Sequence, residues 1–173
     1  ILWGGQPQYQ TIYQDITERK QAEEALKNSE EFLNNIIEKT PNALWVSDKK
    51  GTIIRMNQAL RDMLRVNDEE IIGKYNVLKD TQVIEQGYLP LVKSVFEKGN
   101  TISFTLDYHT AKEQQVSLKE PTHKVLEIVI SAIKDNKGRV INGIAQEKDI
   151  TDSKQAEAAL KASENKYRAL FEN

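Results

Sequence analysis

The sequence predicts an α+β domain: a five-stranded antiparallel sheet with short helices on one face, flanked at each end by an amphipathic helix. Three observations carry this. Strand-like runs come in two groups, two before a cluster of short helical patterns and three after it, and such segregation indicates an antiparallel sheet rather than alternating βαβ units. Aspartate–glycine turns separate neighbouring strands, at Asp48-Lys49-Lys50-Gly51 and Asp135-Asn136-Lys137-Gly138. Finally, residues 15–30 (DITERKQAEEALKNSE) return as residues 149–164 (DITDSKQAEAALKASE), with twelve of sixteen positions identical at an offset of 134. Chance does not produce that match, so a repeated connector brackets one intervening unit.

The boundaries follow from the repeat. Residues 1–17 read as the tail of a preceding unit, 18–39 as a helical connector, 40–151 as the domain, and 152–173 as a second connector leading into a next unit. Each connector opens at a threonine, Thr17 or Thr151, able to cap the helix, followed by Glu18 or Asp152, where the dipole favours an anion. Ala22, Leu26, Ser29, Leu33 and Ile36, and later Ala156, Leu160, Ser163, Tyr167 and Leu170, alternate in steps of four and three, as a coiled-coil seam does. A parallel homodimer along this seam and a helix packed on its own domain both satisfy that pattern.

Thr40-Pro41 ends the first connector. Residues 43–47 and 52–56 then form a hairpin across Asp48-Lys49-Lys50-Gly51, with glycine where positive φ is needed. Asn57 caps a helix carrying Leu60, Met63 and Leu64, and Asn67 with Glu70 makes a capping box that stops at Gly73. A longer helix starts at Leu89-Pro90, buries Leu91, Val92, Val95 and Phe96, and stops at Gly99. Strands at 101–108, 125–134 and 140–147 complete the sheet.

Composition excludes several chemistries. The absence of cysteine removes disulfides, thiolate nucleophiles, cysteine-type zinc sites, covalent flavin adducts and c-type haem. Acids and bases interleave to a net charge of −2, which leaves no footprint for nucleic acid or an anionic membrane surface. No run of about 18 apolar residues is present, so this stretch is expected to make no membrane contact. A cytoplasmic location is the expectation for it, with membrane anchoring of the parent chain elsewhere left open. There is no glycine-rich phosphate loop and no histidine on either connector, and Glu69-Glu70 falls on a helix start where the dipole accounts for it. No catalytic residue is expected.

Several motifs, in order and spacing, resemble the PAS domain family. They are Pro41-Asn42-Ala43 entering the first strand, Asp48-Lys49-Lys50-Gly51-Thr52-Ile53, Asn57-Gln58-Ala59, Glu70-Ile71-Ile72-Gly73-Lys74, Asp135-Asn136-Lys137-Gly138-Arg139-Val140 and the closing Asp149-Ile150-Thr151. Residues 166–173 and 1–17 resemble a following and a preceding PAS unit. The chain departs from the family's pattern between Thr110 and Pro121, a long charged segment, and from Tyr75 to Gln86. The resemblance implies a sensory or relay domain of a multi-domain signalling protein, a sensor histidine kinase, with adjacent PAS and output domains in the parent chain. It further implies that Asp149 and Thr151, with Asp15 and Thr17 in the first copy, relay signals at the strand–helix junction. A ligand-free dimerising spacer is the alternative.

The resemblance leaves the cofactor unknown. Haem in this family takes an axial histidine on the helix before the third strand, and residues 89–98 contain none. A flavin held without a covalent step would find a stacking partner in Trp45; a core tryptophan is the other reading. Trp45, Met63, Leu64, Val92, Phe96, Phe104, Leu106, Ile128 and Ile130 are the candidate lining of a small-molecule pocket, an apolar set that equally describes a plain core. No metal site is assigned. The candidates are His109 and His123, which face each other if the third and fourth strands form a hairpin centred near Val116, within reach of Asp107 or Glu127. A surface site needs about three such ligands, and exposed histidines at a loop base are the alternative.

Overall fold

The two Asp–Gly hairpins explain how the sheet begins and ends. In the computed structural model, Asp48 Oδ1 accepts from the backbone N–H groups of Lys50 and Thr52 at 2.8 and 2.9 Å. Asp135 Oδ1 does the same for Lys137 and Arg139, both at 2.9 Å. Each carboxylate satisfies the donors that a tight turn leaves unpaired, and Gly51 takes the left-handed conformation (φ 85°) that a side chain would disfavour. The structure describes residues 2–3, 6–7, 14–116, 118 and 121–171, with side chains from 14 to 168.

The chain divides into two units, residues 1–36 and 37–173. The first holds a short antiparallel pair, β1 (Leu2–Trp3) and β2 (Gln6–Pro7), and most of α1 (Thr17–Lys39). Residues 8–13, part of the expected tail of a preceding unit, lie outside the described residues, as do 172 and 173 at the far end.

The second unit contains β3 (Ala43–Asp48), β4 (Ile53–Met56), α2 (Gln58–Leu64), α3 (Asp68–Ile71), α4 (Thr81–Glu85), α5 (Leu89–Lys98), β5 (Ile102–His109), β6 (His123–Lys134), β7 (Val140–Asp149) and α6 (Thr151–Phe171). The five strands form one sheet in the order β4-β3-β7-β6-β5, every pair antiparallel. Inward positions alternate along the strands: Phe104, Leu106 and Tyr108 on β5, and Leu126, Ile128 and Ile130 on β6. They meet Leu60, Val66, Val77, Val83, Val92 and Val95 from the helical side, giving one continuous core.

Two features escaped the sequence reading. The segment without recognisable pattern folds as a 3₁₀ turn (Val77–Lys79) and α4, capped by Asn76 and Asp80 in succession. The connector helices begin at Thr17 and Thr151 themselves, so these threonines are not N-caps. The carboxylate two residues earlier takes that part: Asp15 Oδ1 accepts from Thr17 N, and Asp149 Oδ1 from Thr151 N, each at 2.9 Å. The capping box predicted at Asn67 and Glu70 is present.

At Gly143 β7 runs hard against its neighbours. A Cβ there would lie 2.8 Å from Ser47 Oγ and 2.9 Å from the Phe96 ring. Both neighbours are held in the packed layer, so Gly143→Ala is expected to destabilise the domain by about 1–3 kcal/mol through overpacking. Urea denaturation checks this, and a loss below about 0.5 kcal/mol would mean that Phe96 moves aside freely.

Candidate functional site

Between the helices and the inner sheet face lies a small cavity of about 50 Å³, room for a few waters or a very small group. Of the predicted lining, Trp45, Leu64, Phe104, Leu106, Ile128 and Ile130 bound it. Met63, Val92 and Phe96 do not. Val92 is fully buried in the packed core, whereas Met63 and Phe96 pack against that core from its edge. All three were assigned from apolar character, which does not distinguish a cavity wall from solid packing.

The polar part of the wall was missed: Tyr75, Asp80, Tyr108 and Glu147. Asp80 is fully buried and caps α4, its Oδ1 accepting from Gln82 N at 2.6 Å and Val83 N at 3.0 Å. The Tyr75 hydroxyl donates to its other oxygen. Glu147 is only 9% exposed; its Oε1 accepts from Trp45 Nε1 at 2.6 Å, while Oε2 has no partner among the described residues. Burial pushes the Glu147 carboxyl up to about 7, with the Trp45 hydrogen bond opposing and Asp80 adding to the shift. Burial likewise holds both tyrosine hydroxyls well above their ordinary range. Glu147 was legible in principle: it shares the inward parity of Ala145 on β7, and a charge at a core parity is the signal.

Two residues further along the same strand is Asp149, the last residue of β7, and α6 begins two residues after that, at Thr151. Thr151 Oγ1 donates to Asp149 Oδ1 at 2.5 Å and accepts from Val125 N at 2.9 Å. Asp149 Oδ2 pairs with Lys124 Nζ at 2.7 Å, and Ile150 N donates to Val125 O at 2.9 Å. Partial burial would raise the Asp149 carboxyl, but the hydrogen bonds from Lys124 and Thr151 outweigh it and hold the group low. Three contacts therefore fasten the strand–helix junction to the neighbouring strand β6, and the Thr151–Asp149 hydrogen bond ties the junction to itself. In the first unit Asp15 and Thr17 repeat the local half of this arrangement, and the Thr17 hydrogen bonds lower the Asp15 carboxyl.

The β5–β6 register pairs His109 with His123. Asp107, two residues before His109, lies beside both imidazoles, whereas Glu127 stands across from Thr105 and Lys148.

A family model described as "PAS domain" matches residues 41–152. The virulence sensor protein BvgS of Bordetella pertussis is 38% identical over 63 residues, a match covering 36% of this chain and 5% of that protein. Among solved structures, the PAS domain from Bordetella pertussis BvgS superposes with a TM-score of 0.53 at 22% identity, covering 80% of this chain and 98% of that one. The PAS domain of the HTR-like protein from Haloarcula marismortui does so with a TM-score of 0.56 at 19% identity, covering 76% and 99%. No helix among the described residues is long and apolar enough to cross a membrane. With this order of strands and helices and a family match across the whole sheet, the chain belongs to the PAS domain family.

Proposed function

We propose that the chain is a non-catalytic sensory or relay domain of a signal-transduction protein, a sensor histidine kinase of the BvgS kind. It passes a change in its cavity along β7 to the exit helix α6. The observation that carries this reading is that one strand holds both ends of the path. Glu147 faces the cavity, and Asp149 anchors the junction to Lys124 and, through Thr151, to Val125. A displacement of β7 relative to β6 strains those anchors and moves the start of α6. A ligand suited to the cavity is small and apolar, with one polar group for Glu147 Oε2, an acceptor while the carboxyl holds its proton and a donor once it is ionised.

The ligand-free dimerising spacer has its own support. Along α6 the seam residues Leu160 and Tyr167 are each 63% exposed, as is Leu26 at 62% on α1. A second copy of the chain, paired helix to helix, would cover them. Native mass spectrometry separates the two readings: mass lost on denaturation marks a cavity ligand, and a dimer of bare chains marks the spacer.

Asp149→Ala tests the relay. Its ion pair with Lys124 is about a third exposed on both sides, so losing it should lower stability by only about 1 kcal/mol. Fused to a histidine-kinase output domain, the variant is expected to lose signal-dependent output while the domain stays folded. Unchanged output would end the relay reading.

A further inference from the structure

We propose that Asp107, His109 and His123 form a binding site for a divalent first-row transition ion, zinc above all, on the solvent face of the sheet. Asp107 and His109 are two apart on β5 and share a face; His123 stands opposite His109 on β6. Asp107 Oδ1 lies 2.5 Å from His123 Nε2 and 3.5 Å from His109 Nε2, and one ligand atom from each residue lies within 4.8 Å of the others. Among the described residues no other group of three such side chains converges in this way.

The spacing suits zinc. Tetrahedral coordination with bonds of about 2.0–2.1 Å sets neighbouring ligand atoms roughly 3.4 Å apart. One observed separation, 3.5 Å, already matches, and the other widens by about 1 Å through rotation of two side chains that are about half exposed. Two imidazoles and one carboxylate leave a fourth position open to water and select against magnesium and calcium, which take oxygen donors.

A plain His–Asp hydrogen bond explains Asp107 with His123, but not the second imidazole. The two rings stack with centroids 4.0 Å apart and planes within 3°. That face-to-face contact is unfavourable for two imidazolium ions and suits the neutral form a metal requires.

The position also gives the site a lever. His123 directly precedes Lys124 and Val125, the residues that anchor Asp149 and Thr151. An ion there braces β5 to β6 at the point where the exit helix is fastened, apart from the cavity and independent of whether a ligand fills it.

The test is calorimetric titration of zinc chloride into the chelator-stripped 173-residue chain at neutral pH, with magnesium chloride as the control. One zinc ion per chain is expected, with no magnesium binding. His109→Ala and His123→Ala should each weaken zinc by about tenfold or more, Asp107→Asn should weaken it too, and Glu127→Gln on the same face should not. Circular dichroism checks that each variant is folded; the side chains are surface groups, and Asp107→Asn preserves shape. Absence of saturable zinc binding, or equal affinity in the double histidine variant, would overturn the site.

Discussion

Asn57→Ala is expected to destabilise the domain by about 3–5 kcal/mol, the largest effect of any single polar truncation in this fold. Asn57 is fully buried, and its side chain makes five hydrogen bonds. Its Oδ1 accepts from Leu44 N at 2.9 Å and Leu60 N at 3.1 Å. Its Nδ2 donates to the carbonyls of Asn42 at 2.9 Å, and of Ile37 and Thr40 at 3.2 Å each. One amide thus joins the last turn of α1, the entry to β3 and the start of α2.

Alanine would leave the N–H groups of Leu44 and Leu60 and the carbonyl of Asn42 short of this partner in a site largely closed to water, while the Ile37 carbonyl still accepts from Thr40 N at 3.4 Å. The penalty for unmade buried bonds, about 1–3 kcal/mol each, dominates over the loss of a simple helix cap, about 1 kcal/mol. Partial hydration of the Ile37 and Thr40 carbonyls keeps the total below the full sum. Urea denaturation of the variant decides the matter: a loss near 1 kcal/mol would reduce Asn57 to an ordinary cap.

The same residue shows where sequence reading stops. As an N-cap Asn57 was legible, because its side chain and the Leu60 N–H that donates to it lie three residues apart. As a hub it was not, because Leu44, Asn42, Thr40 and Ile37 come to it only through the return of the β3–β4 hairpin. Both Asp–Gly hairpins were legible for the converse reason: every group that shapes them lies within five residues. The segment from Tyr75 to Gln86 resisted reading because its helical turns are too short for periodicity, and their caps, Asn76 and Asp80, resemble ordinary loop residues. The facing of His109 and His123 followed from hairpin symmetry, which also put Asp107 or Glu127 within reach; the choice of Asp107 depended on rotamers no pattern encodes. In the cavity, alternation along β5 and β6 identified Phe104, Leu106, Ile128 and Ile130. The helix residues Met63, Val92 and Phe96 were misplaced because a helix face can bury side chains without opening onto a void.

Glu147→Gln should remove a pH dependence of stability worth about 3 kcal/mol. In the folded domain the carboxyl titrates at about 7, against an ordinary value of 4.5. Below about pH 4.5 both folded and unfolded chains hold the proton, and the contribution to stability is fully present. As pH rises through the window up to about 7, the unfolded chain gives up its proton while the folded one keeps it, and the balance moves toward unfolding. Above that the folded domain carries a buried carboxylate facing Asp80, with Trp45 Nε1 its one hydrogen-bond donor among the described residues. Glutamine preserves an acceptor for Trp45 and cannot ionise, so the variant should equal the wild type at about pH 4.5 and exceed it at about pH 8. His109, held below its ordinary range, titrates in an overlapping window with the opposite sign, so the difference between variant and wild type is the quantity to read. Parallel stability curves would mean that water reaches Oε2 and leaves the group near its ordinary value. Diverging curves would mean that a proton added at the cavity is felt on β7, two residues from the Asp149 junction and on the strand that leads into α6.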